Sequence, residues 1–208
     1  EPTPPVYQLT IIGGFTDAFH FYPVIVRDSI ATIYLHNNML EYGHTYYVTI
    51  DNGVLNLADG SFQGVTKEDE WTFTTKSDMP ELSDTLIVDA TGKGDFNTVQ
   101  GALDFIPDFN EQQTVILVNP GDYEELVYTR NKWNVKIKGA GMADTKVHYA
   151  NNEVFNPHPL TVKTNEWPGT FPSRRAAFML DNCKDIVIED MTIATDLKGQ
   201  AEGLLING

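Results

Sequence analysis

The sequence predicts an all-β chain in two parts: an antiparallel β-sandwich over residues 1–80, then the first coils of a parallel β-helix over residues 81–208, opened by a capping helix. Short runs rich in Val, Ile, Thr and Tyr alternate with turn residues in the first part. Similar strands recur at offsets of 20 to 26 residues in the second part, where a single stretch has helical spacing. The run KSDMPELS at residues 76–83 separates the two patterns.

Charge and composition exclude several classes of function. The 208 residues include 14 Lys and Arg against 29 Asp and Glu, and the net charge of −15 would repel nucleic acids and anionic membranes. No apolar run approaches the ~20 residues of a membrane-spanning helix. The lone cysteine, Cys183, excludes an internal disulfide and zinc sites built on cysteine pairs. We therefore expect a globular chain without a nucleic-acid partner, whose oligomeric state is open.

Five strands are predicted in the first part. Residues that tolerate tight turns separate them, namely Gly-Gly at 13–14, Asn-Asn at 37–38, Asp-Asn-Gly at 51–53 and Asp-Gly at 59–60. This pattern is typical of an antiparallel sandwich. The predicted strands are Val6 to Ile12, Phe19 to Val26, Ala31 to His36, Thr45 to Ile50 and Trp71 to Thr75.

Leu40, Gly43 and Tyr46 predict a tyrosine corner, in which a phenol bonds to the backbone just upstream. The run LEYGHTYYVTI at residues 40–50, then NGVLNLADG at 52–60 and WTFTT at 71–75, resembles the second half of a bacterial Ig-like module. Such a sandwich has about seven strands. With five strands predicted, residues 1–80 are a partial Ig-like β-sandwich, and we expect the natural protein to extend upstream of Glu1.

One amphipathic helix is predicted over residues 96–106. Phe96, Val99, Leu103 and Ile106 follow one another at offsets of 3, 4 and 3, which line a single helix face. Asp95 is the predicted N-cap, and Pro107 ends the helix because it lacks an N–H donor.

Beyond the helix, the strands repeat. Ile116 is echoed by Ile137, Val127 by Val147 and Met179 by Leu205, at offsets of 21, 20 and 26 residues. A further alternating run spans residues 186–193. Repeats of this length, punctuated by turn residues at Gly121, Gly139, Gly141 and Asn182, favour a parallel β-helix. An ordinary antiparallel sandwich remains the alternative on periodicity alone.

The open ends of a solenoid expose unpaired edges, so the helix is predicted to cap the N-terminal end of the stack. The sequence stops at Asn207-Gly208 directly after a strand, without a second cap. We therefore expect the chain to be an excised piece of a larger protein.

Three stretches of the second part resemble the beginning of a pectinesterase. They read VDATGKGDFNTVQGALDFIP at 88–107, VILVNPGDYEE at 115–125 and VKIKGAGMADT at 135–145. Residues 186–193 and GQAEGLL at 199–205 extend the resemblance almost to the last residue. The resemblance implies a right-handed parallel β-helix and, for the parent protein, hydrolysis of methyl esters of polygalacturonate without a metal or organic cofactor. It also implies a secreted, periplasmic or cell-surface location, although no signal peptide is present in the sequence.

In that family an aspartate attacks the ester carbonyl, a second protonates the departing methoxide, glutamine amides bind the oxyanion and an arginine orients the nucleophile. Gln200 matches the first oxyanion glutamine, and it is the only catalytic residue that the resemblance assigns to this chain. The remaining catalytic residues would lie beyond Gly208. The resemblance thus implies a fragment of a carbohydrate esterase that is inactive by itself.

Other polar residues have simpler interpretations. His148 and His158 are expected at surface or turn positions, because no histidine here has metal-ligand spacing. Arg174-Arg175 could contact an anionic sugar chain, although engagement by local acids is favoured. A solvated rim is preferred to a calcium site or an acid/base pair for the acids Asp181, Asp185, Glu189 and Asp190, sugar stacking and loop packing are equally open for Trp167 and Phe171, and Cys183 is expected to be a small buried hydrophobe at a coil turn.

Two alternative functions remain open. A non-catalytic carbohydrate-binding or scaffold β-helix would present a groove without the aspartates. A polysaccharide lyase would need calcium-binding acids and a basic residue that abstracts a proton.

Overall fold

The computed structural model describes residues 21, 22, 24–35, 40–55, 60, 62–156 and 173–208. The predicted strand Val6 to Ile12 and the turns at 13–14 and 37–38 lie outside these residues. The chain forms two compact units. One is His36–Glu81, and the other joins Leu82–Gly208 to Glu1–Leu35. The boundary predicted at residue 80 separates sequence patterns, and the division into sandwich and coils stays a prediction.

The described secondary structure is almost entirely β, as predicted. The strands are β1 (Val24–Arg27), β2 (Ile30–Ile33), β3 (Thr45–Tyr47), β4 (Thr72–Thr74), β5 (Thr85–Val88), β6 (Thr114–Val118), β7 (Gly121–Glu124), β8 (Val127–Arg130), β9 (Trp133–Lys138), β10 (Thr145–Tyr149), β11 (Ala176–Asp181), β12 (Lys184–Glu189), β13 (Thr192–Thr195) and β14 (Glu202–Asn207). One helix, α1 (Val99–Phe105), is described between β5 and β6. No helix among these residues is long and apolar enough to span a bilayer.

The smaller unit contains the predicted tyrosine corner. Its strands β3 and β4 are antiparallel, with Tyr46 opposite Phe73. The Tyr46 phenol accepts a hydrogen bond from the backbone N–H of Glu41 (2.8 Å), and its ring stacks on that of Phe73. Gly43 adopts a φ of +69°, a backbone conformation that glycine reaches at little steric cost. The corner is therefore confirmed, whereas the assignment to an Ig-like module stays a prediction.

Nine strands of the larger unit form three successive coils, each of three strands. Every strand pairs in parallel with the strand three places later, which gives the stacks β6-β9-β12, β7-β10-β13 and β8-β11-β14. Strand β5 extends the first stack beyond β6. This is the predicted parallel β-helix, with each coil hydrogen-bonded to the next.

Two of the three predicted repeat pairs are confirmed. Ile116 pairs with Ile137 and Met179 pairs with Leu205. The pairing of Val127 with Val147 is wrong, because these residues belong to different stacks and Val127 pairs with Phe178 instead. The second coil includes residues 150–175 between β10 and β11, so the offset at that position grows far beyond 20 residues.

The helix covers the N-terminal end of the core. Val99, Ala102, Leu103 and Ile106 are buried in one apolar cluster with the inward side chains of the first strands. The helix is shorter at its start than predicted, since Phe96 forms a β-bridge with Val88. It ends before Pro107 as expected.

The predicted N-cap is wrong. Thr98 caps the helix, and its side chain accepts a hydrogen bond from Gly101 N (3.1 Å). Asp95 accepts instead from Ile87 N (2.8 Å), which fixes it to the end of β5. A tertiary contact thus takes up the first of two suitable capping residues.

Candidate functional site

Gln200, the predicted oxyanion residue, lies exposed in the loop between β13 and β14. The preceding coil holds this loop through its backbone. Glu153 N donates to Gln200 O (2.9 Å), and Asn152 Nδ2 donates to Lys198 O (3.3 Å). The Gln200 loop is therefore anchored while Gln200 itself faces solvent.

Asn152 is also the organiser of its own turn. Its Oδ1 accepts from Val154 N (3.1 Å) and Phe155 N (2.9 Å). One side-chain amide thus fixes the turn at 152–155 with its oxygen and supports the Gln200 loop with its nitrogen.

Arg175 lies among acids close to the Gln200 loop in sequence and space. Its Nε donates to Glu202 Oε1 (2.7 Å) and its Nη2 contacts the same oxygen (2.6 Å). Glu153 Oε2 lies 3.5 Å from Nη1. These contacts raise the pKa of Arg175. The interpretation of engagement by local acids therefore holds for Arg175, whose guanidinium already has carboxylate partners.

The run PGDYEE, which carried much of the family resemblance, is structural. The Tyr123 hydroxyl donates to Asn119 O (2.9 Å). The Glu125 carboxylate accepts from the backbone N–H groups of Val99 (2.8 Å) and Gln100 (2.9 Å). Burial raises the pKa of Glu125 to about 7, against the opposing effect of those two hydrogen bonds. Glu125 thus ties α1 to the first coil.

The run DFNTVQGA at residues 95–102 has the same role. Gln100 Nε2 donates to Tyr128 O (3.0 Å) and to Asp104 Oδ1 (2.8 Å). Burial raises the pKa of Asp104 to about 6. Both motifs therefore lock the cap helix onto the coils, and they identify the architecture more directly than the chemistry.

The four acids around β12 are separated into local contacts. Asp181 is buried rather than solvated, which corrects the expectation, and its Oδ2 lies 3.0 Å from Arg130 Nη2. Glu189 contacts Lys136 Nζ (2.7 Å), and the lysine contacts lower its pKa. Asp185 and Asp190 both have positive φ. The set forms no common site.

The expectation for His148 is wrong. It lies on β10 with 4% of its surface exposed, pairs in register with Glu124 and contacts Asp196 through Nδ1. The stacking of coils brings together residues 24 and 48 positions apart in sequence. Sequence spacing held no sign of this cluster, because only the strand register reveals it.

Some predicted residues lie outside the described part of the chain, namely His158, Trp167 and Phe171. Cys183 is half-buried against the core, and its Sγ donates to Asp181 O (3.3 Å). Burial raises the pKa of its thiol, which is consistent with a packing role.

The sequence model of the Pectinesterase family matches residues 85–205, more than half of the chain. The chain belongs to the pectinesterase family. It is 33% identical over 96 residues to Probable pectinesterase 67 of Arabidopsis thaliana, covering 43% of this chain and 28% of that protein. It is 50% identical over 42 residues to Pectinesterase QRT1 of Arabidopsis thaliana, covering 20% of this chain and 11% of that protein.

The chain thus spans about a quarter of the length of the first of these pectinesterases. Among solved structures, pectin methylesterase from carrot is similar to it with a TM-score of 0.46 and 21% identity, covering 62% of this chain and 37% of that one. The matched region begins at β5 and ends within β14, so it contains the cap helix, all three coils and the Gln200 loop.

Proposed function

We propose that this chain forms the first coils of a carbohydrate esterase that hydrolyses methyl esters of polygalacturonate. The observation that carries the proposal is the family match across residues 85–205, which includes the exposed Gln200. The attacking aspartate, the proton-donating aspartate, the second glutamine and the orienting arginine would be supplied by chain beyond Gly208. The polysaccharide substrate and a secreted, periplasmic or cell-surface location belong to the same proposal.

The proposed reaction proceeds through a covalent intermediate. The aspartate oxygen bonds to the ester carbonyl carbon, and the C–O bond to the methoxy group breaks as the second aspartic acid gives that group a proton. Water then hydrolyses the acyl-enzyme, which releases the galacturonate carboxylate and restores the aspartate. The net change converts one ester and one water into one carboxylic acid and one methanol.

Gln200 would act where negative charge develops on the carbonyl oxygen. Its side-chain amide can donate a hydrogen bond to that oxygen without adding a charge of its own. Glu153 and Asn152 support this role, because they hold the backbone on either side of Gln200 in place. A pre-positioned donor stabilises the transition state without reorganising during the reaction.

The test measures methanol released from methylated pectin. The 208-residue chain is expected to release none above a buffer blank, and the full-length protein that carries this sequence is expected to be active. In that protein Gln200→Ala should lower kcat by about 10²-fold or more. Gln113→Ala alters another exposed glutamine before β6 and should leave kcat unchanged.

The outcomes separate the proposal from its alternatives. Binding of pectin by the full-length protein without methanol release would identify a carbohydrate-binding or scaffold module. Formation of unsaturated products that depends on Ca²⁺ would identify a lyase. Equal kcat values for Gln200→Ala and the unaltered protein would overturn the role of Gln200 alone.

A further inference from the structure

A second cluster of polar side chains lies on the outward side of the stack β7-β10-β13. Tyr123 and Val147 are buried in the core, so the alternation of strands turns Glu124 and His148 outward. Asp196 follows β13 and reaches the same place from the next coil. One potential ligand atom from each of Glu124, His148 and Asp196 lies within 4.8 Å of the other two. These three residues are here called the coil-face cluster.

The imidazole of His148 is buried between carboxylates. Its side chain is 6% exposed, and Nδ1 contacts Asp196 Oδ2. Nε2 is buried 2.8 Å from Asp122 Oδ1, yet it makes no aligned hydrogen bond. A neutral imidazole has one N–H, so one of its nitrogens must present a lone pair to a carboxylate. That arrangement is unfavourable unless a cation occupies the contact.

Two cations border the cluster without filling it. Arg27 bonds to Glu124, with Nε donating to Oε2 (3.2 Å), and Lys146 Nζ lies 3.7 Å from Asp196 Oδ1. With Asp122 counted, three carboxylates face two cations and an imidazole that carries at most a proton. A carboxylate has about four lone-pair sites, so Glu124 can hold Arg27 and still coordinate an ion.

We propose that Glu124, His148 and Asp196 bind a divalent transition-metal ion of the Zn²⁺ class. Imidazole with carboxylates suits Zn²⁺ and Co²⁺, whereas Ca²⁺ and Mg²⁺ take oxygen ligands. The ion replaces the proton held between His148 Nδ1 and Asp196, and Nε2 then donates its proton to Asp122. A histidine that ligates a metal commonly donates its other N–H to a carboxylate in this way. Ligand atoms of one Zn²⁺ lie roughly 3–4 Å apart, so side-chain shifts of about 1 Å close the set.

The test titrates the 208-residue chain with Zn²⁺ by calorimetry and with Co²⁺ by visible absorption. One equivalent is expected to bind, with Co²⁺ giving ligand-field bands and with affinity falling at acid pH because the ligands must be deprotonated. His148→Ala and the nearly isosteric Asp196→Asn should each weaken binding at least 30-fold. Circular dichroism verifies that each variant is folded.

The matched control is His44→Ala. His44 is an exposed histidine whose Nε2 lies 3.4 Å from Glu41 Oε2 in the smaller unit, so it offers a solvated imidazole and carboxylate. This variant should bind Zn²⁺ as the unaltered chain does. Absence of Zn²⁺ binding, unchanged binding in folded Asp196→Asn, or displacement of Co²⁺ by equimolar Ca²⁺ would each overturn the proposal. None of these readouts depends on esterase activity.

Discussion

Gln100 and Tyr128 exchange two hydrogen bonds through a single side-chain amide. Gln100 Oε1 accepts from Tyr128 N (2.8 Å), and Gln100 Nε2 donates to Tyr128 O (3.0 Å). The glutamine therefore satisfies the backbone of β8 as a neighbouring strand would, although it projects from α1. This explains why a glutamine at this position belongs to the run that marks the family's architecture.

Replacing Gln100 by leucine tests this pairing. Gln100→Leu keeps much of the side-chain volume but leaves a buried N–H and a buried C=O of Tyr128 unpaired, which should lower the free energy of unfolding by about 2–4 kcal/mol. Urea denaturation measures the change. The exposed Gln113→Leu is the control and should stay within about 0.5 kcal/mol of the unaltered chain. Similar midpoints for both variants would contradict the structural role.

Glu125 makes stability depend on pH. Because burial raises its pKa from 4.5 to about 7, folding favours the protonated carboxyl. The stabilisation is complete below the unfolded-state pKa and is lost as the pH rises through about 7. Asp104, with a pKa of about 6, acts in the same direction. Stability should therefore fall between about pH 5 and pH 8, by about 2–3 kcal/mol for Glu125 alone.

Glu125→Gln isolates this contribution. The amide cannot ionise, so the difference in unfolding free energy between the unaltered chain and the variant should change across the same pH range. At acid pH the variant should be the less stable, because its NH₂ group faces a backbone donor that the carboxyl accepts. Denaturation curves recorded at several pH values measure both effects, and a difference that is constant with pH would rule out titration of Glu125.

The inward–outward alternation of strands was sufficient to predict part of the fold. It predicted that Ile116 pairs with Ile137 and that Met179 pairs with Leu205, because short connections keep those offsets close to one coil. It failed for Val127, whose coil includes residues 150–175. Periodicity reports the length of a coil only where no long loop is inserted.

The site is less accessible to sequence reasoning than the fold. Gln200 was found through a motif, since nothing about an isolated glutamine indicates an oxyanion donor. His148 was missed because its carboxylate partners come from the coils on either side of it. Asp95 was misassigned as the helix cap because a bond to Ile87, visible only in three dimensions, takes up its carboxylate. In each case a long-range contact decides the role of the residue.

Asn182 is predicted to stabilise the turn between β11 and β12. Its φ of +48° lies in the left-handed region, and its Nδ2 donates to Asn131 Oδ1 (2.7 Å) on the coil below. Asn182→Ala loses both the tolerance for that φ and the side-chain bond, at a cost of about 1–2 kcal/mol. Asn182→Gly keeps the backbone tolerance and should cost less. Thermal or urea unfolding compares the pair, and the reverse order would contradict this account.

Asn152 is predicted to control the order of the Gln200 loop. Asn152→Ala removes the acceptor that fixes the turn at 152–155 and the donor to Lys198 O, so the amide of Glu153, which bonds to Gln200 O, should open more often. Hydrogen exchange of that amide should accelerate about tenfold, while the Ile137 amide in the core stays protected. Asn152→Asp retains the acceptor and loses only the donor, so its exchange should be intermediate. If the Asp variant exchanges as fast as the Ala variant, the bond to Lys198 carries the effect, and unchanged exchange in both would show that Asn152 does not position the loop.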